Sequence, residues 1–123
     1  MRNGPDAMKL IEDMMVKFKA RHKFHMELYG DNSKRMTGSH ETSSKDEFSY
    51  GIGNRAASVR ISTNTASQGK GYIEDRRPAS DIDPYVVTAV ITDTSLLDGH
   101  LGEALYKHYK VWLDFKAVTR FET

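Results

Sequence analysis

An apolar stripe with helical periodicity runs through the N-terminal part of the chain, and it constrains the fold more than any other sequence feature. Its members recur at alternating spacings of three and four residues, which brings side chains to one face of an α-helix. They are Met8, Ile11, Met15, Phe18, His22, His25 and Tyr29. Pro5 and Asp6 suit the first turn of such a helix, and Gly30 suits its C-terminal cap. We therefore predict one helix over residues 6–29.

Two histidines in this stripe, His22 and His25, permit two interpretations. A histidine pair on one helix face can bind a metal ion, but the usual spacing for two such ligands is i, i+4 rather than the i, i+3 found here. Histidines on an apolar face more commonly pack in the interior with their polar atoms satisfied. The sequence therefore favours a core or interface role for both residues over a metal site.

Strand character follows a polar loop at residues 31–47. Residues 48–61 alternate apolar side chains with small or polar ones, as a β-strand with one buried face does. Residues 62–71 are rich in Ser, Thr, Asn, Gln and Gly, which is typical of a turn. We expect residues 57–61 and 71–75 to pair across this turn as a hairpin.

A second helix is predicted to begin at Asp83-Pro84. The residues that follow, 85–97, are apolar almost all round a helical projection, which predicts that this helix is buried. Asp98-Gly99 should end it, and the apolar spacing in residues 100–123 makes a further helix plausible. The predicted fold class is α+β: a helix, hairpin strands, a buried helix and an extra C-terminal helix.

Composition excludes several functional classes. There are 18 lysines and arginines against 17 aspartates and glutamates, so the net charge of +1 gives no strong attraction to nucleic acid or to an anionic membrane. There are no cysteines, which excludes disulfides and thiolate metal sites. No stretch has the length of a membrane span, and no apolar run follows the basic residues at the start. The default expectation is a cytoplasmic protein.

Arginines cluster in the middle third of the chain and alternate there with acidic residues. The arginines are Arg35, Arg55, Arg60, Arg76 and Arg77, and the acids are Glu41, Glu74 and Asp75. Arginine binds carboxylate and phosphate groups through two parallel hydrogen bonds, so such a cluster suits an anionic substrate. Surface salt bridges are the competing interpretation, and for a single arginine they are the commoner one.

Three motifs in this region resemble eukaryotic-type glutamine synthetases. Arg-Met-Thr-Gly-Ser-His-Glu-Thr at 35–42 is similar to the flap segment of that family, and Gly-Asn-Arg-Ala-Ala-Ser-Val-Arg-Ile at 53–61 is similar to its strand with two arginines. Gly-Lys-Gly-Tyr-Ile-Glu-Asp-Arg-Arg-Pro-Ala-Ser at 69–80 is the strongest match. The resemblance covers roughly residues 1–97, as part of the C-terminal catalytic domain, and leaves the tail, 98–123, unmatched.

This resemblance implies an ATP-dependent glutamate–ammonia ligase. In that reaction the side-chain carboxylate of glutamate takes the γ-phosphoryl group of ATP, and ammonia then displaces phosphate from γ-glutamyl phosphate. ATP is a co-substrate, and Mg²⁺ or Mn²⁺ helps to neutralise the phosphates. Arginines near the transferring group would stabilise its spreading negative charge.

The resemblance also implies roles for individual residues on the glutamate side. Arg55 matches an arginine that touches both glutamate and the phosphoryl group. Arg76 matches an arginine that binds glutamate, and Arg35 matches a further substrate-side arginine near the flap. Glu41 matches the flap glutamate, which closes the site and helps ammonium to lose a proton.

On the nucleotide side, Arg60 matches an arginine that contacts the phosphates of ATP. Tyr72 and Ile73 lie where the family holds the nucleotide, and Glu74 matches a carboxylate ligand of the metal beside the phosphates. Arg77 matches a position of the same motif that has a less direct role.

The resemblance places most metal-binding glutamates and one metal-binding histidine upstream of the position that matches Met1. It also implies a ring in which the N-terminal domain of a neighbouring subunit completes the site. We therefore expect little or no synthetase activity from this chain alone, and we expect its partners to be copies in a ring or full-length synthetase subunits. The alternative is a truncated, non-catalytic paralogue that acts as an interaction or structural subunit.

Overall fold

The computed structural model describes residues 7–38 and 43–111. Within these ranges there are five helical segments and a small three-stranded sheet, so the α+β class expected from the sequence is confirmed at this level. None of the helices in the described part is long and apolar enough to cross a membrane.

The N-terminal helical segment is divided into two helices, α1 (Ala7–Ala20) and α2 (His22–Leu28). The prediction of a single helix was therefore wrong at Arg21, which has φ −110° and ψ 16°. The backbone N–H of His25 still donates to the carbonyl of Arg21 at 3.0 Å, so the two helices follow one another closely. At the break the Arg21 guanidinium binds Asp93 and Thr94 near the end of a later helix. The predicted start at Pro5 and Asp6 lies outside the described residues.

The buried face of these two helices is the apolar stripe read from the sequence. Because the stripe has helical spacing, its members point to one side and enter the core together. The stripe residues that are buried are Ile11, Met15, Phe18, His22, His25 and Tyr29.

The sheet consists of β1 (Tyr50–Ile52), β2 (Val59–Ile61) and β3 (Ile73–Asp75), in that order. β1 runs parallel to β2, and β2 runs antiparallel to β3. The predicted pairing of the second and third strands is thus confirmed, although each strand is only three residues long. Val59 and Ile61 face the core, so the residue between them faces outward.

Residues 62–71 do not form a simple turn, because they contain a short helix, α3 (Thr63–Gln68). Ser62 caps it by accepting a hydrogen bond from the backbone N–H of Thr65 at 3.1 Å. Gly69 ends it with φ 68°, a left-handed conformation that glycine adopts without steric cost. Ala66 is the one apolar residue of this helix, so there is no apolar stripe, which is why periodicity did not indicate it.

The helix predicted from Asp83-Pro84 is α4 (Pro84–Leu96), and Asp83 caps it by accepting from the backbone N–H of Tyr85 at 2.9 Å. The prediction that it is buried all round was wrong. Tyr85 is 82% exposed and Leu96 is 75% exposed, whereas its inner side packs into the core. Composition shows how apolar a helix is, but not how many of its sides are covered.

The tail contains the predicted further helix, α5, which is described from residue 102 to residue 111. Asp98 and Gly99, with φ 52° and 80°, separate it from α4. Tyr109 of this helix is 7% exposed and packs in one cluster with Leu28 and Tyr29. The tail therefore shares the core of the preceding helices as far as the structure describes it; Trp112 and Phe115 lie outside the described residues.

Candidate functional site

The outer face of the sheet carries charged residues brought together by strand register. Arg60 on β2 lies directly opposite Glu74 on β3, and a guanidinium Nη2–carboxylate Oε2 ion pair joins them. Arg76 follows on the same side, with its Nε 3.9 Å from the other carboxylate oxygen of Glu74. Gly51 is the neighbour of Arg60 on β1 and adds no side chain to this face. We call Arg60, Glu74 and Arg76 the outer-face cluster.

Arg76 has an unsatisfied donor in this cluster. Its Nη1 is buried and has no hydrogen-bond partner within the described part of the chain. Leaving a buried polar group unpaired costs about 1–3 kcal/mol, and more when the group is charged. A guanidinium in this state is poised to donate to an incoming carboxylate or phosphate oxygen.

A second arginine is held close to Arg76. Arg35 donates from Nε and Nη2 to the Asn32 side-chain oxygen, at 3.0 and 2.7 Å, and from Nη2 to the Arg77 carbonyl at 2.8 Å. Burial, and next the like charge of Arg76, lower the pKa of Arg35. Two guanidinium groups placed this near each other create a local positive potential that favours an anion.

The remaining predicted site residues take different positions. Arg55 lies exposed in the loop between β1 and β2. Tyr72 is 77% exposed just before β3, and its carbonyl accepts from the hydroxyl of Thr65 at 2.8 Å. Ile73 packs its side chain against the core, which leaves only its backbone towards the outer face. Glu41 lies outside the described residues.

Directly beneath the outer-face cluster lies Arg77, a fully buried arginine whose importance the sequence did not reveal. Its guanidinium donates two hydrogen bonds of 2.9 Å to the carboxylate of Asp75. Its Nη1 lies 3.1 Å from Nδ1 of His22, and its Nη2 lies 3.0 Å from Nδ1 of His25. Strand alternation extended past β3 would have found this, because Ile73, Asp75 and Arg77 fall on the inward face.

Aromatic rings complete the surroundings of the buried cation. The guanidinium carbon of Arg77 lies 5.2 Å from the ring centroid of Phe18, 5.2 Å from that of Tyr29 and 5.3 Å from that of Phe48. Ring faces attract a cation, and the attraction is stronger where water is excluded. Arg77 is therefore paired, hydrogen-bonded and enclosed, as a buried charge must be.

His22 and His25 occupy the core, as the sequence favoured. Burial is the main cause that lowers the pKa of both side chains, and the Arg77 guanidinium lowers them further. The pKa of His25 falls to about 2. Both imidazoles are therefore neutral at physiological pH.

The buried contacts continue from β3 to the segment that leads into α5. His25 Nε2 lies 2.6 Å from the Thr94 hydroxyl, which also accepts from Arg21 Nη1 at 2.6 Å. Arg21 pairs with Asp93 at 3.1 Å, and Asp93 accepts from the backbone N–H of Leu101 at 2.8 Å. One polar network thus joins the underside of the sheet, α2, α4 and the segment that leads into α5.

A cavity of about 820 Å³ lies elsewhere, between the end of α1, α2 and the segment before β1. Its rim mixes three lysines (Lys19, Lys23 and Lys45) with four acidic residues, and none of the outer-face cluster lines it. The cavity is therefore separate from the arginine site.

The described residues do not form a metal centre by themselves. They contain no group of three or more histidines, aspartates or glutamates that could hold an ion. Glu74 offers one carboxylate, and both of its oxygens already face arginines. Mg²⁺ and Mn²⁺ prefer several oxygen ligands, so Glu74 alone does not suffice.

Arginines and a carboxylate lie together on one face of a small sheet, an arrangement that suits the binding of anionic groups such as carboxylates and phosphates. The chain is 54% identical over 92 residues to glutamine synthetase from Agaricus bisporus, which is 74% of this chain and 26% of that protein. The corresponding protein of Debaryomyces hansenii is 51% identical over 107 residues, 85% of this chain and 28% of the relative. Glutamine synthetase from Schizosaccharomyces pombe is 57% identical over 88 residues, which is 71% of this chain and 24% of that protein.

The chain therefore belongs to the eukaryotic-type glutamine synthetases, as its motifs suggested. It spans about a quarter of the length of the relatives it matches. No family model matches it.

Proposed function

We propose that Arg35, Arg60 and Arg76 are substrate-binding arginines of a glutamate–ammonia ligase. The observation that carries this proposal is the buried Nη1 of Arg76, which has no hydrogen-bond partner within the described part of the chain and lies near a second guanidinium. Such a donor gains most from an anion that reaches it, because the cost of its desolvation is already incurred in the free protein.

On the glutamate side, Arg76 and Arg35 would bind and orient the carboxylates of the substrate, and Arg55 would contact both glutamate and the transferring phosphoryl group. Positioning the side-chain carboxylate for attack on the γ-phosphorus is the main contribution that binding can make to phosphoryl transfer. Arg35 is already fixed by Asn32 and by the Arg77 carbonyl, so little side-chain entropy is lost when it binds.

On the nucleotide side, Arg60 would bind the phosphates of ATP and stabilise the negative charge that spreads over them. Tyr72, with its exposed ring, and the backbone of Ile73 would contact the nucleotide. Glu74 would belong to the same site and supply one carboxylate ligand to Mg²⁺ or Mn²⁺, with the other ligands coming from outside the described residues. The ion pairs that Glu74 makes with arginines would then have to rearrange.

Glu41, in the flap motif, would stabilise ammonium and accept its proton, so that neutral ammonia attacks the acyl phosphate. Residues of other chains would complete the site, either in a ring of identical subunits or with full-length synthetase subunits. We propose a cytoplasmic location, with no nucleic-acid or membrane partner.

Replacing Arg76 with methionine should weaken the binding of L-glutamate to this chain at least about tenfold, because one charge-assisted hydrogen bond contributes about 1.5–3 kcal/mol. The measurement is a titration followed by the chemical shifts of the arginine Nε–H groups. Lys9→Met, which removes the same charge from an exposed position on α1, serves as the control and should leave the affinity unchanged.

Two results would count against the binding role of Arg76. One is equal affinity in Arg76→Met and Lys9→Met. The other is a linear, non-saturating response to glutamate in the unmodified chain, which would show that the arginines form no site here. Glutamine formation should be absent or very small in the same preparation.

A second candidate function, a non-catalytic subunit that associates with other synthetase chains, is favoured by the edge of the sheet. β1 is an edge strand within the described part, and its Tyr50 and Ile52 side chains are 45% and 57% exposed. An apolar edge strand invites pairing with another chain. The lack of a self-sufficient metal cluster in the described residues agrees with dependence on a partner.

The mass of the native product separates these functions. An antibody against residues 76–85 should detect, in an immunoblot of the source cells, a band several times heavier than 14.0 kDa if this sequence is part of a complete ligase. This is the expected result. A single band near 14.0 kDa would instead favour the association role, and the search should then turn to co-purifying subunits.

A further inference from the structure

The hydrogen bonds of Arg77 determine the protonation state of two histidines. A guanidinium has only N–H donors, so each imidazole nitrogen that faces it must be an acceptor. Arg77 faces Nδ1 of His22 at 3.1 Å and Nδ1 of His25 at 3.0 Å. The Tyr29 hydroxyl also lies 3.0 Å from Nδ1 of His25, and it then donates to this nitrogen rather than to Asp75, which it reaches only at 3.4 Å. Neither Nδ1 can therefore carry a proton while these contacts last.

The opposite nitrogen of each ring has an acceptor placed to receive its proton. Nε2 of His22 lies 2.9 Å from the backbone carbonyl of Lys45, and Nε2 of His25 lies 2.6 Å from the hydroxyl oxygen of Thr94. Each histidine thus donates at Nε2 and accepts at Nδ1, so it links Arg77 to a different part of the fold.

Arg77 in turn immobilises the chain that presents the substrate arginine. Its backbone N–H and its guanidinium both bind the Asp75 side chain, so residues 75 and 77 are clamped on the inward face. Arg76 lies between them and points to the other face, and its backbone N–H donates to the Ser58 carbonyl at 3.0 Å. The contacts that hold residues 75 and 77 therefore also fix the direction of the Arg76 side chain.

We propose that His22 and His25 are positioning residues for the outer face: as neutral acceptors they fix Arg77, and through it the segment that presents Arg76. This role rests on the proposed function in so far as Arg76 binds substrate. The histidines touch neither the substrate site nor Glu74, and they act only through Arg77 and the strand end.

The charged and titratable groups on the neighbouring elements affect whether the two histidines stay neutral. A proton on either Nδ1 would place a second cation against the guanidinium and remove its acceptor. The groups that face the pair are Arg77 and Asp75 from β3 and its end, Arg21 and Tyr29 from the helical segments, and Asp46 from the loop before β1. Burial, and next the two cations Arg77 and Arg21, oppose a proton on His25.

The test is two-bond ¹H–¹⁵N NMR of the histidine rings in the full 123-residue chain. We expect His22 and His25 to carry a proton at Nε2 and none at Nδ1 at neutral pH, and His25 to stay so down to about pH 5.5, one unit below the ordinary histidine pKa. Single His22→Gln and His25→Gln variants assign the signals. A proton at Nδ1 of either ring at neutral pH, or protonation of the His25 ring above about pH 5.5, would overturn the proposal.

The effect on the outer face is measured with a matched pair of variants. His25→Gln retains a side-chain oxygen that can accept from Arg77, whereas His25→Leu removes the acceptor at similar volume. The Nε–H signal of Arg76 should shift or broaden in His25→Leu and stay close to its original position in His25→Gln. If His25→Leu does not fold, His22→Leu, at the less enclosed histidine, takes its place. An unchanged Arg76 signal in a folded leucine variant would refute the positioning role.

These readouts involve no ligand, so they separate this proposal from the proposed function. A chain that shows the expected ring protonation and the expected Arg76 response, but binds no glutamate, would retain the positioning role and lose the substrate assignment. A chain that binds glutamate through Arg76, but lacks the expected ring protonation or the expected Arg76 response, would retain the substrate assignment and lose the positioning role of the histidines.

Discussion

Replacing Arg77 with methionine lowers the free energy of unfolding by about 3–5 kcal/mol, the range found when one partner of a buried ion pair is removed. The cause is the Asp75 carboxylate, which is 8% exposed and loses both of its guanidinium hydrogen bonds. The Nδ1 atoms of His22 and His25 lose their donor at the same time. Urea unfolding followed by circular dichroism measures the change.

The neighbouring arginine provides a matched control. Arg76→Met removes the same charge one residue away, but Arg76 is 3.9 Å from Glu74, and its Nη1 has no hydrogen-bond partner among the described residues. We expect its effect on unfolding to stay within about 1 kcal/mol, as for most exposed or weakly paired positions. Equal losses in Arg77→Met and Arg76→Met would show that the buried network contributes no special stability.

The double variant Asp75→Leu/Arg77→Met tests the physical reason. If the cost arises from an uncompensated buried carboxylate, removing that carboxylate as well should recover part of the lost stability. A double variant as unstable as the sum of the two single variants would point to lost packing instead.

Acidification weakens this fold well above the pH at which carboxylates are protonated. Burial and Arg77 lower the pKa of His25 to about 2 in the folded chain, and they also lower that of His22, against an ordinary value of 6.5. Below about pH 6.5 the unfolded chain therefore binds protons that the folded chain does not. Over the range between its unfolded and folded pKa values, His25 makes the free energy of unfolding fall by about 1.4 kcal/mol per pH unit, and His22 acts in the same direction.

A histidine whose pKa is lower in the folded chain does not reduce the free energy of unfolding at pH values above its unfolded-state pKa. The reduction grows as the pH falls from that value towards the folded-state pKa. Urea midpoints between about pH 7 and pH 4.5 should therefore decrease steadily, and His25→Gln should reduce the slope by roughly one proton. A slope that is the same in His25→Gln and in the unmodified chain would contradict the prediction.

Periodicity in the sequence was sufficient to predict the elements that pack by one face. The apolar stripe of α1 and α2 was found because burial selects every third or fourth residue of a helix, and the buried Ile11, Met15 and Phe18 confirm it. The pairing of β2 with β3 was found for the corresponding reason in strands. The break at Arg21 was not found, because no local residue there stops a helix.

Elements with no apolar periodicity were missed or misjudged. α3 is polar except for Ala66 and is specified by its caps, Ser62 and Gly69. α4 is apolar on several sides, and its sequence did not reveal that Tyr85 and Leu96 remain exposed. Exposure depends on which other elements are present to cover a surface, and local sequence does not contain that information.

The sequence by itself determined the family and the positions of the main buried faces, because motifs and periodicity are local properties of a chain. Only the tertiary structure decided that Arg77 is buried between His22 and His25, while the Nη1 of adjacent Arg76, on the outer side, has no hydrogen-bond partner among the described residues. The two arginines are identical as residues. Their environments differ because strand alternation turns them to opposite sides and because helices distant in sequence cover only one of those sides.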